Sequence, residues 1–197
     1  MRYRLTVFCL AIILLTLAVD AQKKPSFREN PGLQAQQAKE PVRQVYEEMF
    51  TRGRYELVNQ AFAPNCIVHF GGRTIGLQEA VAEGKGWRSA APDLVMAIEQ
   101  INVSGEMVNV TWAGRGTHTG QGHGLKPTGR RFQMTSSSRF HVVNGKIVEV
   151  WNEEYRPELF RQLGVSKTTA FMFFTTERLL SALGDVLPDR IYSSLLQ

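Results

Sequence analysis

Hydrophobic side chains change their spacing near Asp93, from a helical period to an alternating one. Before this point, apolar residues recur every three or four positions, which is typical of one face of an amphipathic helix. The first stripe consists of Val42, Val45, Tyr46, Met49 and Phe50. Pro41 suits the first turn of a helix. The pattern therefore predicts a helix that begins at Pro41 and ends before Gly53.

Two further helices and a short strand are predicted before the change of period. Residues 55–63 have a helical pattern, and a turn is expected at 64–65, where proline precedes asparagine. The apolar run CIVHF at 66–70 predicts a brief strand. Residues 76–90 predict a third helix that ends near Pro92.

The alternating region predicts four strands joined by hairpins. Their ranges are 94–103, 107–118, 131–143 and 146–155. Asn144 and Gly145 favour a two-residue hairpin turn, because both residues tolerate a positive φ angle. The glycine-rich segment 120–129 predicts a long, mobile loop. Helices followed by hairpin-linked strands predict an α+β fold, with the helices packed on one face of a curved antiparallel sheet. The concave face of such a sheet is a usual place for a small ligand.

The first 21 residues have the three-part pattern of a secretory signal peptide. Arg2 and Arg4 precede an apolar run from Leu5 to Val19, and small residues lead to a cleavage position after Ala21. The run is shorter than the ~20 apolar residues of a membrane-spanning helix, although an uncleaved anchor is the alternative. We therefore expect an exported protein, secreted or periplasmic, that meets a membrane only through this segment.

The rest of the chain divides into three parts. Residues 22–37 are polar and predict a flexible leader, and residues 38–165 hold the α+β domain. Residues 166–197 predict a helical extension of two amphipathic helices. These helices would cover the mouth of the sheet or be buried against a second subunit, so we expect a homodimer.

Charge and cysteine content narrow the classes of partner. The formal charge of +5 falls to +4 without the signal peptide, and the lysines and arginines are scattered. Nucleic-acid-binding proteins usually cluster such residues on one face, so we expect no nucleic-acid partner. Cys66 is the remaining cysteine after the signal peptide and can form no internal disulfide. The fold must therefore depend on its hydrophobic core.

An ordered set of motifs carries a family resemblance over residues 38–165. The motifs are PDL (92–94), GTHTG (116–120), PTGRR (127–131), RFHVVNGKIVEVW (139–151) and RQLG (161–164). Together they resemble the SnoaL-like polyketide cyclases and related ester cyclases, members of the nuclear-transport-factor-like superfamily of cone-shaped α+β barrels. The resemblance implies a cavity for a small hydrophobic molecule. It also implies acid–base chemistry of a cyclase, isomerase or hydrolase type, without a cofactor.

One position departs from the family pattern. The cyclases carry a general acid/base aspartate shortly after the tryptophan of the last strand, where this chain has Tyr155. A tyrosine, with an ordinary pKa near ~10, is a poor base at neutral pH. If the strand continues, Glu153 shares a face with Trp151 and Tyr155 and is a candidate catalytic carboxylate. The alternative is a structural ion pair between Glu153 and Arg139 or Arg88.

Two histidines are the other candidate proton carriers. His69 lies in the predicted strand 66–70, where its ring could transfer a proton near neutral pH or make a structural hydrogen bond. His118, in GTHTG, could bind a ligand carbonyl or hold the loop by bonding to the backbone. His118 and His123 are too few for a zinc site, and no cysteine or aspartate cluster adds to them, so we expect no metal.

The remaining predicted site residues would form the wall of the cavity. They are Trp87, Trp112, Gln133, Arg139, Trp151 and Tyr155. Because the expected aspartate is absent at position 155, a non-catalytic ligand-binding or dimerisation module is the alternative function.

Overall fold

Most of the helical segments precede the four strands of the alternating region, as the change of period predicts, although two strands lie among them and a last helix follows the sheet. The computed structural model describes residues 31–70, 72–153 and 156–172, together with Thr175. The predicted signal peptide lies outside this part of the chain, as does the leader up to residue 30.

The first helix, α1, spans Pro31–Arg43 and begins ten residues before the predicted start. Residues 33–40 of this helix are rich in alanine, glutamine, lysine and glutamate, which are good helix formers, and a proline again occupies its first turn. The polar residues that suggested a leader here thus lie on the exposed surface of a helix. A wider π-type turn continues the helix over Gln44–Phe50 and buries Val45, Tyr46 and Met49.

A short helical stretch then leads into the sheet. A 3-10 turn at Tyr55–Leu57 is followed by α2, Val58–Ala61, and directly by strand β1, Phe62–Phe70. The turn predicted at 64–65 is wrong, because both residues continue β1. They lie where the pairing of β1 with the last strand is irregular. A proline, which cannot donate to a strand ladder, is tolerated at such a place.

Within the described residues, six strands form one curved, unclosed sheet. The other strands are β2 (Arg73–Gly76), β3 (Val95–Ser104), β4 (Met107–Thr117), β5 (Arg131–Val143) and β6 (Lys146–Asn152). Their order is β2-β1-β6-β5-β4-β3. All neighbours are antiparallel except β1 and β6, which are parallel. The predicted α+β class is confirmed, but the sheet is mixed because its first and last long strands lie side by side.

A bulge in β6 changes which residues face the helices. His141 of β5 pairs with Glu149, and the next residue of β5 pairs with Ile147, so Val148 is an extra residue in β6. Ile147 and Val150 are both buried as a result, although they are three positions apart. Simple alternation along β6 therefore fails at Val148.

Two helices complete the domain. Helix α3, Leu77–Ala90, packs on β1 and β2, and helix α4, Arg156–Leu163, packs on β5. Both ends of the Gln162 side-chain amide bond to the backbone of Gln133, the oxygen at 2.9 Å and the nitrogen at 2.8 Å. Residues 167–172 are helical, and most of the predicted C-terminal extension lies outside the described residues.

Candidate functional site

A cavity of about 140 Å³ lies between the helices and the inner face of the sheet. Most of its wall is aromatic or aliphatic. Representative residues are Tyr46, Phe50, Val68, Phe132, Met134 and Phe140. Tyr46 packs its ring 6.2 Å from Trp112 and 6.1 Å from Phe140, measured between ring centres. The core and the cavity wall are thus formed by the same side chains.

A chain of hydrogen bonds orients a polar group at the cavity wall. The Trp112 indole nitrogen donates to Ser138 Oγ at 3.1 Å, and Ser138 donates to Asn152 Oδ1 at 2.7 Å. Because an indole N–H can only donate, the serine hydroxyl is left to donate onward to an oxygen. The Asn152 amide therefore presents its oxygen to Ser138.

The glycine-rich loop between β4 and β5 packs directly on helix α3, contrary to the mobile loop predicted from its composition. The Gly120 N–H donates to the carbonyl oxygen of Ala90, the last residue of α3, at 2.9 Å. A Cβ atom at Gly120 would overlap the Ser89 carbonyl oxygen, and one at Gly122 would overlap the Gly86 carbonyl oxygen. The glycines thus allow backbone to contact backbone.

This loop places His123 behind the cavity wall. Its ring centre lies 4.2 Å from that of Trp87, and its Nδ1 atom lies 3.6 Å from a carboxylate oxygen of Glu83. A Cβ atom at Gly86 would lie 2.7 Å from His123 Nε2, so the close approach needs glycine there. Burial lowers the pKa of His123 to about 4; the Glu83 backbone carbonyl opposes this shift and the Arg156 charge adds to it. The imidazole is therefore neutral at physiological pH.

The depressed pKa of His123 predicts acid-sensitive stability. Because the folded pKa of about 4 lies below the ordinary value of 6.5, the unfolded chain takes up the proton first as the pH falls. The contribution of His123 is complete above pH 6.5 and is lost as the pH falls towards 4. We expect the free energy of unfolding to decrease by about 2 kcal/mol between pH 8 and pH 5 from this residue.

Urea unfolding of His123→Gln across the same range measures this effect, since the variant should lose that part of the pH dependence. His141→Gln is the matched control, because His141 is partly exposed and contacts Glu106 on the surface. An unchanged pH profile in His123→Gln would contradict the prediction.

Glu153 does not lie in the cavity. Strand β6 ends at Asn152, and the bulge places Val150 and Asn152 rather than Trp151 on the inner face. Glu153 is exposed beyond the strand end, where its backbone N–H donates to the Ser137 carbonyl oxygen at 3.1 Å. The structure therefore places Glu153 outside this cavity, and its predicted catalytic role stays a prediction.

His69, Trp151 and Arg139 lie together on the outer face of the sheet. His69 and Trp151 are register partners, and their rings stack at 5.4 Å with planes 15° apart. On the other side, Arg139 of β5 is the register partner of Trp151, and its guanidinium carbon lies 4.6 Å from the centre of the Trp151 ring. His69 also bonds to Glu149 at 2.7 Å and to Thr74 at 3.1 Å. None of these three predicted residues reaches the cavity.

His118 and Gln133 have structural positions. His118 is buried, its Nδ1 atom bonds to Thr128 Oγ1 at 3.2 Å, and its backbone pairs with Gly129 and Arg130. Burial lowers the pKa of His118, so its ring is neutral. Gln133 is exposed and held by its backbone to Gln162. The backbone of His118 thus closes the base of the loop, while its ring bonds to a threonine hydroxyl rather than to the backbone, so both predicted roles of the ring stay predictions.

Two predicted residues do line the cavity, Trp87 and Trp112, while Tyr155 lies outside the described residues. The alternative ion pair of Glu153, with Arg139 or Arg88, is absent from the described part of the chain: Arg139 lies over the Trp151 ring, and Arg88 donates to backbone carbonyls. Sequence reasoning missed Tyr55, Glu83 and Asn152. The bulge concealed Asn152, and Glu83 showed no signal beyond an acidic residue in a helix.

The described residues contain no group of three or more histidine, cysteine, aspartate or glutamate side chains that could hold a metal ion. Within the same residues, no helix has the length and apolar character needed to cross a membrane.

Solved structures share this architecture. A SnoaL-like protein from Jannaschia sp. CCS1 superposes with a TM-score of 0.62 at 18% identity, over 70% of this chain and 97% of that chain. AclR from Streptomyces galilaeus, a candidate hydroxylase, gives a TM-score of 0.60 at 22% identity, over 66% and 97%. IdmH from Streptomyces antibioticus, a candidate polyketide cyclase, gives 0.58 at 27% identity, over 66% and 99%.

Sequence comparison agrees with the structural likeness. No curated protein gives a significant match. The family described as SnoaL-like polyketide cyclase matches residues 40–163, which include every strand, helices α2 to α4 and the cavity. This chain therefore belongs to the SnoaL-like polyketide cyclase family.

Proposed function

We propose that this chain binds a small, mostly apolar, ring-containing molecule in the cavity and acts on it by proton transfer, as a cyclase or isomerase without a cofactor. The cavity itself carries the proposal. Its wall is largely aromatic and aliphatic, with a few polar groups at defined places, which is the usual composition of a small-molecule site. Family membership supports the same class of function.

The volume of the cavity limits the size of the ligand. A cavity of about 140 Å³ is close to the ~150 Å³ of an engineered protein cavity that binds benzene. A single ring with a short substituent therefore fits without movement of the wall. A fused multi-ring polyketide does not, so the proposed substrate is either small or inserts one ring.

Toluene is a direct probe of this proposal. A ligand that binds only the folded state, at one hundred times its Kd, should raise the free energy of unfolding by about 2.7 kcal/mol. We expect toluene to raise the melting temperature of the purified protein, with a shift that grows as the logarithm of the toluene concentration above its Kd. Ala80→Leu, which fills the cavity, should abolish the shift. Ala82→Leu is the matched control, because Ala82 is exposed on the same helix. A shift that persists in Ala80→Leu would place the binding elsewhere.

A non-catalytic binding module is the second candidate function. The supporting observation is that Glu153 and His69 lie on the surface and His118 is bonded into a loop. A ligand that stabilises the protein but is recovered unchanged after long incubation would favour this candidate.

We also propose export and self-association. The mature chain would begin at Gln22, which an intact mass of the protein from the periplasm or culture fluid can test; a mass that includes residues 1–21 would contradict it. A homodimer would elute at twice the monomer mass in light scattering. Deletion of residues 166–197 tests whether the extension holds the two copies together.

A further inference from the structure

Polar atoms without partners gather beside one turn of helix α3. The Tyr55 hydroxyl and the Trp87 indole nitrogen are buried and have no hydrogen-bond partner in the described part of the chain. Both residues line the cavity. A Cβ atom at Gly84 would lie 3.0 Å from the Tyr55 hydroxyl, so this hydroxyl touches the helix between Glu83 and Trp87. Among the described residues of the wall, Glu83 is the one carboxylic acid.

The chemistry of these atoms specifies the complementary group on a ligand. An indole nitrogen can only donate a hydrogen bond. Burial raises the pKa of Tyr55 to about 12, against the opposing charge of Arg88, so the hydroxyl keeps its proton at neutral pH and can also donate. Buried donors are rarely left unpaired in folded proteins. Two donors on one cavity wall suit an acceptor that can take two hydrogen bonds, such as a carbonyl oxygen.

The wall is held in place from behind. His123 packs on the Trp87 ring and approaches Glu83, and the glycine contacts fix the loop on α3. The turn therefore presents its donors and its carboxylate in one arrangement, which suits a site that must meet developing charge without rearranging.

We propose that this turn is the proton-transfer site of the cavity: Tyr55 and Trp87 bind the oxygen of a small cyclic carbonyl compound, and Glu83 exchanges a proton at the adjacent carbon. The inference rests on the proposed function, since it requires a ligand in the cavity. It assigns to Glu83 the role for which Glu153 was the predicted residue.

The step is balanced without an oxidant or reductant. The Glu83 carboxylate takes the proton from the carbon beside the carbonyl, and the C–H electron pair becomes the C=C bond of an enolate. The carbonyl π pair moves to the oxygen, where the Tyr55 O–H and Trp87 N–H stabilise the negative charge. Return of the proton from the Glu83 carboxylic acid restores the carbonyl compound.

Cyclohexanone and methylenecyclohexane test the inference, because they have nearly the same shape and only the former has an oxygen. We expect cyclohexanone to raise the melting temperature more than methylenecyclohexane, and Tyr55→Phe to remove that preference. In D₂O, NMR should show exchange of the α-protons of cyclohexanone that falls about a hundredfold in Glu83→Gln. Glu79→Gln, one turn earlier on α3 and paired with Arg73, should exchange at the wild-type rate.

The outcomes separate the two proposals. Equal stabilisation by both probes, or equal exchange rates in wild type and Glu83→Gln, would overturn the inference and leave ligand binding intact. If neither cyclohexanone nor methylenecyclohexane binds and toluene does not raise the melting temperature, the proposed function is overturned and the inference with it.

Discussion

Replacing Gly120 with alanine should destabilise the domain by about 3 kcal/mol, because the new methyl group has no space. The added Cβ atom would overlap the carbonyl oxygen of Ser89, which is backbone and cannot rotate away. The φ angle of Gly120 is not positive, so the cost comes from the overlap and not from backbone strain. For a domain of this size, the loss corresponds to a decrease in melting temperature of roughly 6–12 °C.

Thermal and urea unfolding measure this effect, and Gly76→Ala is the matched control. Gly76 precedes α3, has ordinary backbone angles, and nothing lies within 4 Å of its added Cβ atom. That variant should change the free energy of unfolding by less than about 0.5 kcal/mol. Equal stability of the two variants would mean that the loop does not rest on the helix as described.

Arg88→Met should cost a similar amount, about 3 kcal/mol, through lost hydrogen bonds. Arg88 Nη1 lies 2.6 Å from the Thr51 carbonyl oxygen, 2.8 Å from that of Leu94 and 3.3 Å from that of Phe50. One guanidinium thus joins the end of the first helical segment to the chain entering β3. Methionine keeps the apolar stem but leaves partly buried carbonyl oxygens unpaired.

Urea denaturation of Arg88→Met measures this loss, with Arg115→Met as the control because Arg115 is exposed on β4. Arg88→Lys should recover part of the stability, since an ammonium group can still donate to one or two of the carbonyls. If Arg88→Met lowers the free energy of unfolding no more than Arg115→Met does, the hydrogen bonds from Arg88 to the three carbonyls do not stabilise the domain.

The sequence predicted the order of the elements because hydrophobic periodicity is local information. Strands β3 to β5 and helix α3 begin and end within about two residues of their predicted bounds, the usual uncertainty of such assignments. The stripe from Val42 to Phe50 also lies on the core, as its spacing indicates. The parallel pairing of β1 with β6 could not be predicted this way, since it joins segments about eighty residues apart.

The site was harder to predict because it depends on single residues. One extra residue at Val148 reverses the faces of β6, which moves Trp151 and the expected carboxylate outward and brings Asn152 inward. Glycine content suggested mobility in the 120–129 loop, yet the same residues allow its tight packing. Local hydrophobic spacing records neither an extra residue in a hairpin nor the contact of a loop with a helix thirty residues earlier in the chain.

The contact between the β4–β5 loop and helix α3 also determines by which route a ligand could reach the cavity. An entrance to a buried cavity ordinarily opens when a side chain rotates to another rotamer. At Gly120 and Gly122 no side chain stands between the two main chains, so there is nothing to rotate. Passage there would require the main chains to separate and the hydrogen bond from Gly120 to Ala90 to break. This side of the domain is therefore closed to a ligand while the backbone contact holds, and we expect a ligand to enter the cavity from another side.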